Sequence, residues 1–424
     1  MKFNIILIMG SLIIYSNYAY SDVFQEGYAA AAKKDFATAI KKFQLASETK
    51  VTNSNELKKV AEANFMIAQS YHFGYGVEVD MSEAIKWYKR SAEMGDIDAQ
   101  LNLGVIYANG IGVAKDDAEM SQWWKLAADQ GNQDAQYYLG SKYSKGQGVA
   151  KDLIESVRLY KLAALQGHSK AQFGLAMAYF DGQGVTKDIR EGLRWLKSAA
   201  DKGERNAQLN LGSIYLNGDG VVQNYSEAKK WFKLAADKGD PVAQFNLGVI
   251  YSKGKGVPQN DIEANRWYKL SAGQANSEAQ FNLGISYENG KGVKKDLVEA
   301  ARLYKLASDQ GETGAQTSLG LMYQKGEGVI QDYLEAMRLH KSAAEQGNSI
   351  GQFNLGLMYL IGFIDGVPDY EKAYMWLNIS ASQGLKKATS IRDIAESKLN
   401  AKQINRSQKI AQQCIENNYK NCSD

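Results

Sequence analysis

Apolar residues recur at helical spacing in one stretch of the chain after another. One such stretch has apolar residues at Ala99, Leu103, Ile106 and Tyr107. Steps of three or four residues place these side chains on one face of an α-helix. Gly110-Ile111-Gly112-Val113 follows, and its first glycine suits the left-handed conformation that ends many helices. The pattern predicts a helix, here called helix A, that ends at this glycine.

The same pattern returns with a constant period. AQLNLGVIYANGIGV begins at Ala99, and close variants begin at intervals of 36 residues, at Ala135, Ala171, Ala207, Ala243, Ala279 and Ala315. A fixed period between 20 and 50 residues is typical of a solenoid, in which each unit contacts mainly its neighbours. The sequence therefore predicts an all-α fold, a solenoid of antiparallel helix pairs in 36-residue repeats.

Each repeat also predicts a second helix, helix B. It begins near an aspartate that can serve as an N-cap, such as Asp152 or Asp188. It carries an aromatic pair followed by two small residues, as in Trp123-Trp124 and Ala127-Ala128. The uniform leucine and tyrosine columns of helix A predict the packing core. The small residue after the leucine, Gly104 in one repeat, predicts close approach of the facing helix.

The ends of the chain depart from the period. Residues 22–55 predict an N-terminal helical pair that resembles a tetratricopeptide pair, followed by a polar loop. Residues 56–384 hold the repeat array, with about nine units. Residues 385–424 predict a C-terminal helical cap and tail, with one charged amphipathic helix over 385 to about 413. A solenoid needs such a cap to cover its last core face.

Residues 1–21 read as a secretory signal peptide. Met1-Lys2 is a short positive start, residues 3–15 are almost entirely apolar, and small residues precede Asp22. The alternative is an uncleaved membrane anchor, but the apolar run is shorter than the ~20 residues that span a bilayer. We expect an exported protein, periplasmic or extracellular, with no integral membrane span once the signal is removed.

The two cysteines, Cys414 and Cys422, are close together near the C-terminus. In an exported chain this arrangement favours one disulfide over two free thiols. The spacing is far from that of a C-x-x-C redox motif.

The motif AQFNLGVIYSKGKGV, followed by D-x-x-E-A-x-x-WYKLAA-x-Q-G, resembles the Sel-one-like repeat family, a branch of the tetratricopeptide superfamily. The resemblance covers about residues 60 to 400 and points to a secreted bacterial member. It implies a right-handed superhelix with helix A on the concave face. It also implies an adaptor that binds proteins or peptides.

The resemblance leaves two other functions open. Some secreted bacterial members are host-interaction factors, and others regulate envelope enzymes such as those acting on peptidoglycan. A cysteine-rich subgroup has been described as β-lactamases, but this chain lacks the cysteine pair that each repeat of that subgroup contains.

Little in the sequence indicates catalysis. The three histidines, His72, His168 and His340, are far apart along the repeats, so they define neither a metal cluster nor a His-based triad. A formal net charge of +3 on 424 residues does not favour nucleic acid. We expect a monomeric, non-enzymatic protein with no cofactor.

Candidate partner-binding residues stand on helix A outside the core columns. The residue before the core leucine is asparagine in five repeats: Asn102, Asn210, Asn246, Asn282 and Asn354. An asparagine ladder can hydrogen-bond a peptide backbone; the alternative is that asparagine is simply the usual residue of the family there. Lysine precedes the first glycine at Lys145, Lys253 and Lys325, where it would rim the groove.

Overall fold

The computed structural model describes residues 23–420 and Cys422, so the predicted signal peptide lies outside the described residues. The described residues fold into helices and connections without a strand. They fall into two compact units, divided within one helix between Ala207 and Gln208. This is the all-α repeat solenoid class that the period predicts.

The first unit contains ten helices among its described residues. They are α1 (Val23–Ala32), α2 (Phe36–Ser47), α3 (Ser54–Phe73), α4 (Met81–Glu93), α5 (Ile97–Asn109), α6 (Asp117–Asp129), α7 (Gln133–Lys145), α8 (Leu153–Leu165), α9 (Ser169–Asp181) and α10 (Ile189–Asp201). Each helix packs against the next one along the chain. The odd-numbered helices from α3 onwards are helix A of a repeat, and the even-numbered ones are helix B.

The division falls in α11 (Arg205–Asn217), and the helices after it belong to the second unit. They are α12 (Tyr225–Asp237), α13 (Pro241–Lys253), α14 (Asp261–Ala272), α15 (Ser277–Asn289), α16 (Leu297–Asp309), α17 (Thr313–Lys325), α18 (Tyr333–Glu345), α19 (Ser349–Ile361), α20 (Tyr370–Ser382), α21 (Lys386–Glu396) and α22 (Ala401–Glu416). None of the described helices is long and apolar enough to cross a membrane.

The C-terminal segment differs from the single amphipathic helix expected over 385 to about 413. It forms two helices, because Asn400 and Gln403 make a capping box that starts a new helix after the break at residues 397–400. α22 packs against α20, and its Ala411 and Cys414 join a core cluster that contains Trp376. Cys414 and Cys422 form a disulfide that ties the tail to this helix.

The helix ends follow the glycine and aspartate pattern. Gly110 ends α5 with a φ of 68°, and its N–H donates to the carbonyl of Ile106. The second glycine, Gly112, also has a positive φ, and a Cβ there would clash with Met81 of α4. Asp152 caps α8 by accepting a bond from the Glu155 N–H at 2.9 Å. These features confirm the predicted caps.

In seven of the nine repeats a glycine of helix A lies close to a large side chain of helix B. A Cβ built on Gly212 would lie 2.5 Å from Cδ1 of Phe232, and one on Gly284 would lie 2.6 Å from Cε1 of Tyr304. In the last repeat the side chain beside Gly356 is that of Leu377. The other two repeats have alanine at the glycine position: Ala68 in the first, with Tyr88 twenty residues later, and Ala176 in the fourth, with the smaller Leu196 twenty residues later.

A second set of contacts is polar and buried. In seven A helices a glutamine near the start donates from Nε2 to a carbonyl at the end of the preceding B helix, as from Gln100 to Ala92 at 2.9 Å. In six of them its own Oε1 accepts from a glutamine at the end of the following B helix. These pairs are Gln130 to Gln100, Gln166 to Gln136, Gln274 to Gln244, Gln310 to Gln280, Gln346 to Gln316 and Gln383 to Gln352, at 2.8–3.1 Å.

The glutamine pairing is interrupted in the first unit. Lys202 caps α10 where α8 has Gln166 and α16 has Gln310, and α12 likewise ends at a lysine, Lys238. Gln172 still donates to Ala164 at 3.1 Å, but its buried Oε1 lacks a hydrogen-bond partner among the described residues. A buried acceptor without a donor costs about 1–3 kcal/mol.

We predict that Gly212→Ala lowers the free energy of unfolding by about 1–2 kcal/mol, because overpacking costs ~1–3 kcal/mol and the helix propensity of alanine returns up to ~1 kcal/mol. Chemical denaturation measures this. In a Phe232→Leu background the same change should cost little, as the pairing of Ala176 with Leu196 indicates. An equal cost in both backgrounds would contradict the proposed contact.

We predict that Lys202→Gln raises the free energy of unfolding by about 0.5–1.5 kcal/mol, because the new amide can donate to Oε1 of Gln172. Gln310→Lys is the matched reverse change, since it removes the donor to Gln280, and it should lower stability by a similar amount. If thermal melting showed both variants unchanged, the glutamine pairs would not be stabilising.

Candidate partner-binding surface

The asparagine column of helix A is partly exposed, and three of its amides already donate one hydrogen bond to their own helix. Asn102, Asn246 and Asn282 are half-buried. Their Nδ2 atoms donate to the carbonyls four residues earlier, at Asp98 (2.8 Å), Val242 (2.9 Å) and Glu278 (2.8 Å). This local bonding is typical of short polar side chains within helices. The second N–H and the amide oxygen of each side chain are left to bond a partner.

The other two asparagines differ from each other. Asn210 is half-buried at the same position of α11. Asn354 is buried, with 5% of its surface exposed. Its side chain is therefore largely closed to a partner in this structure, unlike those of the other four asparagines, and its role in binding stays a prediction. The physical reason for its burial is that α19 carries both α20 and α21, so the C-terminal helices cover a face that other A helices leave partly open.

The three candidate lysines are exposed. Lys145, Lys253 and Lys325 are the last residues of α7, α13 and α17, directly before the left-handed glycine. A cation at a helix C-terminus is favoured by the helix dipole. Lys325 also has Nζ 3.7 Å from a carboxylate oxygen of Glu327, an exposed pair that contributes little to stability. Their role in partner binding stays a prediction.

The three histidines serve the packing of their own repeats. His168 caps α9 by accepting from the Ala171 N–H at 3.0 Å. His72 lies 3.2 Å from the hydroxyl of Tyr88. His340 is buried against Gly320, and burial lowers its pKa to about 4. Within residues 23–420 and Cys422, no group of three or more His, Cys, Asp or Glu side chains could hold a metal ion.

The first unit contains a cavity of about 800 Å³ that the sequence pattern did not predict. It is lined by α1, α3 and the connection from α4 into α5. Its walls include the buried residues Ala61 and Phe65 of α3 and the half-buried methionines Met66 and Met94. Leu57, with 36% of its surface exposed, also lines it.

The cavity coincides with a break in the period. The N-caps of α2 and α4, Asp35 and Asp80, are 45 residues apart, whereas those of α4 and α6 are 36 apart. Part of the extra chain lengthens α3 to 20 residues, against 13 in α5. The added N-terminal turns of α3 supply Ser54, Leu57 and Lys58 to the lining. In the sequence, this change in the spacing of the N-caps is the feature that could have indicated the cavity.

The charged residues that line the cavity are mostly acidic. Glu62, Asp96 and Asp98 contribute carboxylates, and Lys58 contributes the one cation among the lining residues. The Tyr28 hydroxyl donates to Oε1 of Glu62 at 2.5 Å. Burial, assisted by the charges of Asp98 and Glu62, raises the pKa of Asp96 to about 6. Burial also raises the pKa of Asp98, and the charge of Asp134 adds to that shift.

We predict that Asp96→Asn makes the protein more stable at pH 7 and that the difference shrinks towards pH 4. The folded carboxyl keeps its proton up to a higher pH than the unfolded one, which titrates near pH 4. The folded state therefore binds more protons between about pH 4 and 6, and wild-type stability falls as the pH rises through this window. Asparagine cannot lose a proton, so the variant avoids this loss.

The asparagine substitution keeps the helix cap, because Asn132 and Asn276 cap α7 and α15 in the same way that Asp96 caps α5. Thermal melting at a series of pH values measures the effect. A stability difference that is constant with pH, or larger at pH 4, would contradict the raised pKa.

Comparison with known proteins gives a consistent result. The Sel1 repeat family matches nine consecutive segments: 61–96, 97–132, 133–168, 169–204, 205–240, 241–276, 277–312, 313–348 and 349–385. No curated protein matches the sequence.

Two solved structures are similar over most of the chain. One is a protective antigen present in uropathogenic Escherichia coli strains, displaying an SLR fold, with 28% identity over 96% of both chains and a TM-score of 0.58. The other is a Sel1 repeat protein from Oxalobacter formigenes, with 28% identity, 82% of this chain and 98% of that chain covered, and a TM-score of 0.58.

Proposed function

Because this chain belongs to the Sel1 repeat family, whose members are generally protein-interaction scaffolds, we propose that it is an exported scaffold that binds proteins or peptides without chemical turnover. Recognition takes place on the surface formed by helix A and by the N-terminal cavity. The family fold is typically non-catalytic, which supports a binding role over an envelope enzyme.

One observation carries the proposal. The core positions of the repeats are nearly invariant, whereas the exposed positions beside them vary. The leucine of helix A is buried at Leu103, Leu139 and Leu247. The exposed last residue of helix A is Asn109, Lys145 or Lys253 in the same repeats. Since the fold does not fix these outer side chains, they are free to be selected for contact with a partner.

Export is part of the proposal. It rests on the signal-like residues 1–21 and on the two cysteines, which suit an oxidising compartment. The Escherichia coli relative is a protective antigen. This supports a location beyond the cytoplasm, either periplasmic or extracellular, and it favours a host-interaction factor as the second candidate function. Fractionation of native cells into cytoplasm, periplasm and medium distinguishes these locations; recovery in the cytoplasm alone would contradict export.

The scaffold function is tested by affinity capture from the native envelope fraction, with quantitative mass spectrometry. The bait is the chain from residue 22 onwards, and the reference bait is the same chain after heat denaturation. We expect a small set of proteins that requires the folded bait. Each captured protein is then purified and its binding is measured directly. Capture that does not depend on folding would contradict a scaffold role.

We predict that Asn246→Ala with Asn282→Ala weakens binding of a captured partner about tenfold, because the two outward amide oxygens are lost. Circular dichroism and the melting temperature should change little, since alanine is a strong helix former. Gln412→Ala is the control, because Gln412 is an exposed amide on α22, outside helix A, and donates to Glu416 of its own helix at 2.9 Å. Equal loss of affinity in the control would remove the asparagine column from the binding surface.

A further inference from the structure

We infer that the cavity between α1, α3 and the start of α5 binds a segment of a partner protein that inserts a lysine or arginine side chain between apolar neighbours. This inference rests on the proposed scaffold function and gives it a site and a chemistry. Three properties of the cavity carry it: its size, its apolar walls and the sign of its charge.

The cavity has the size and lining of a ligand site. Its volume of about 800 Å³ lies within the range of about 300–1,000 Å³ typical of sites that enclose a small ligand. Phe65, with 7% of its surface exposed, and Ala61 form apolar wall. Met66 and Met94 add flexible thioethers, which adapt to irregular apolar surfaces. Such walls suit the methylene stem of a lysine or arginine and an apolar residue beside it.

The charge of the lining selects a cation. Three carboxylates, on Glu62, Asp96 and Asp98, face one ammonium, on Lys58. Asp96 lies where burial penalises its charged form. A cation brought beside it would offset that penalty, because opposite charge stabilises a partly buried carboxylate. An acidic partner would meet the opposite effect.

The structural roles of the three carboxylates do not require their negative charge. Asp96 caps α5, but the equivalent caps of α7 and α15 are the neutral Asn132 and Asn276. The position of Asp98 is held by glycine in α17, at Gly314, and by isoleucine in α19, at Ile350. The repeat fold therefore does not require either negative charge. Glu62 accepts the Tyr28 hydroxyl, a bond that glutamine can also accept.

The test uses the chain from residue 22 onwards with ¹³C-labelled methionine methyl groups, since Met66 and Met94 report from inside the cavity. Three capped tetrapeptides are titrated: Leu-Lys-Phe-Leu and the same peptide with glutamate or norleucine in place of lysine. The fourth probe is hexylammonium, a free small cation. We expect the lysine peptide to shift both methyl resonances and to bind at least tenfold more tightly than the other three probes.

Several results would overturn the inference. The charge argument fails if the glutamate or norleucine peptide binds as tightly as the lysine peptide. The assignment to a partner segment fails if hexylammonium binds as tightly. The cavity itself is excluded as the site if none of the four probes moves the resonances of Met66 and Met94.

The matched variant combines Glu62→Gln, Asp96→Asn and Asp98→Asn, which keep shape and remove charge. We expect it to lose at least tenfold in affinity for the lysine peptide while its melting temperature at pH 7 stays equal or rises. The control is Asp240→Asn, because Asp240 caps α13 in the second unit with the same bond, to the Ala243 N–H at 2.9 Å. Unchanged affinity in the triple variant, or equal loss in the control, would contradict the site.

Envelope capture separates this inference from the function on which it rests. If the triple variant captures the same partners as wild type in the same amounts, the cavity is not the recognition site, although the scaffold function stands. If the wild-type chain captures nothing that depends on its fold, the scaffold function itself fails.

Discussion

The close approach of helix B to a small residue of helix A is the constraint on which each repeat depends. That residue is glycine in seven of the nine repeats and alanine in the other two. At Gly212 and Gly284 an added Cβ would overlap the rings of Phe232 and Tyr304. The absent side chain lets the ring fill the space between the two helices, and a packed interior tolerates little excess volume. The distance within the pair is thereby fixed, and the glycine that ends helix A fixes where the chain turns.

The glutamine pairs connect one helix pair to the next. Gln100 bonds a carbonyl at the end of α4 and receives a bond from Gln130 at the end of α6. The carbonyl of Ala92 also accepts from the Gly95 N–H at 3.0 Å, so the glutamine adds a second bond to it. The glutamine side chains of helix A are themselves buried, where an unmatched polar group is costly. These directional hydrogen bonds therefore help to fix the register of neighbouring helix pairs, in addition to the burial of apolar surface. One of these bonds is missing in the first unit, because Lys202 stands where a glutamine would donate to Gln172.

Much of the fold could be predicted because the decisive contacts are local and repeated. The period, the glycine ends, the aspartate caps and the small residue beside the core leucine each leave a column in the sequence. The break at Asn400 could not be seen, because apolar spacing continues across it and only the capping box marks it. The burial of Asn354 depends on α20 and α21, which its own repeat does not reveal. The cavity arises where α3 is lengthened beside an irregular connection. Some of its residues, such as Glu62 and Asp98, stand one repeat apart, but no single column marks the cavity as a whole.

We propose that partner recognition takes place at the lengthened α3 and the acidic cavity beside it, where the chain departs from its own repeat. Hydroxyl-radical footprinting with a captured partner tests this claim most directly, since it reads side-chain exposure at each position. We predict reduced oxidation of Leu57, Met66 and Met94 in the complex. The oxidation of Leu234, Leu270 and Leu306, three exposed leucines of helix B in the second unit, should be unchanged. Protection of those three leucines with full oxidation in the cavity would contradict it.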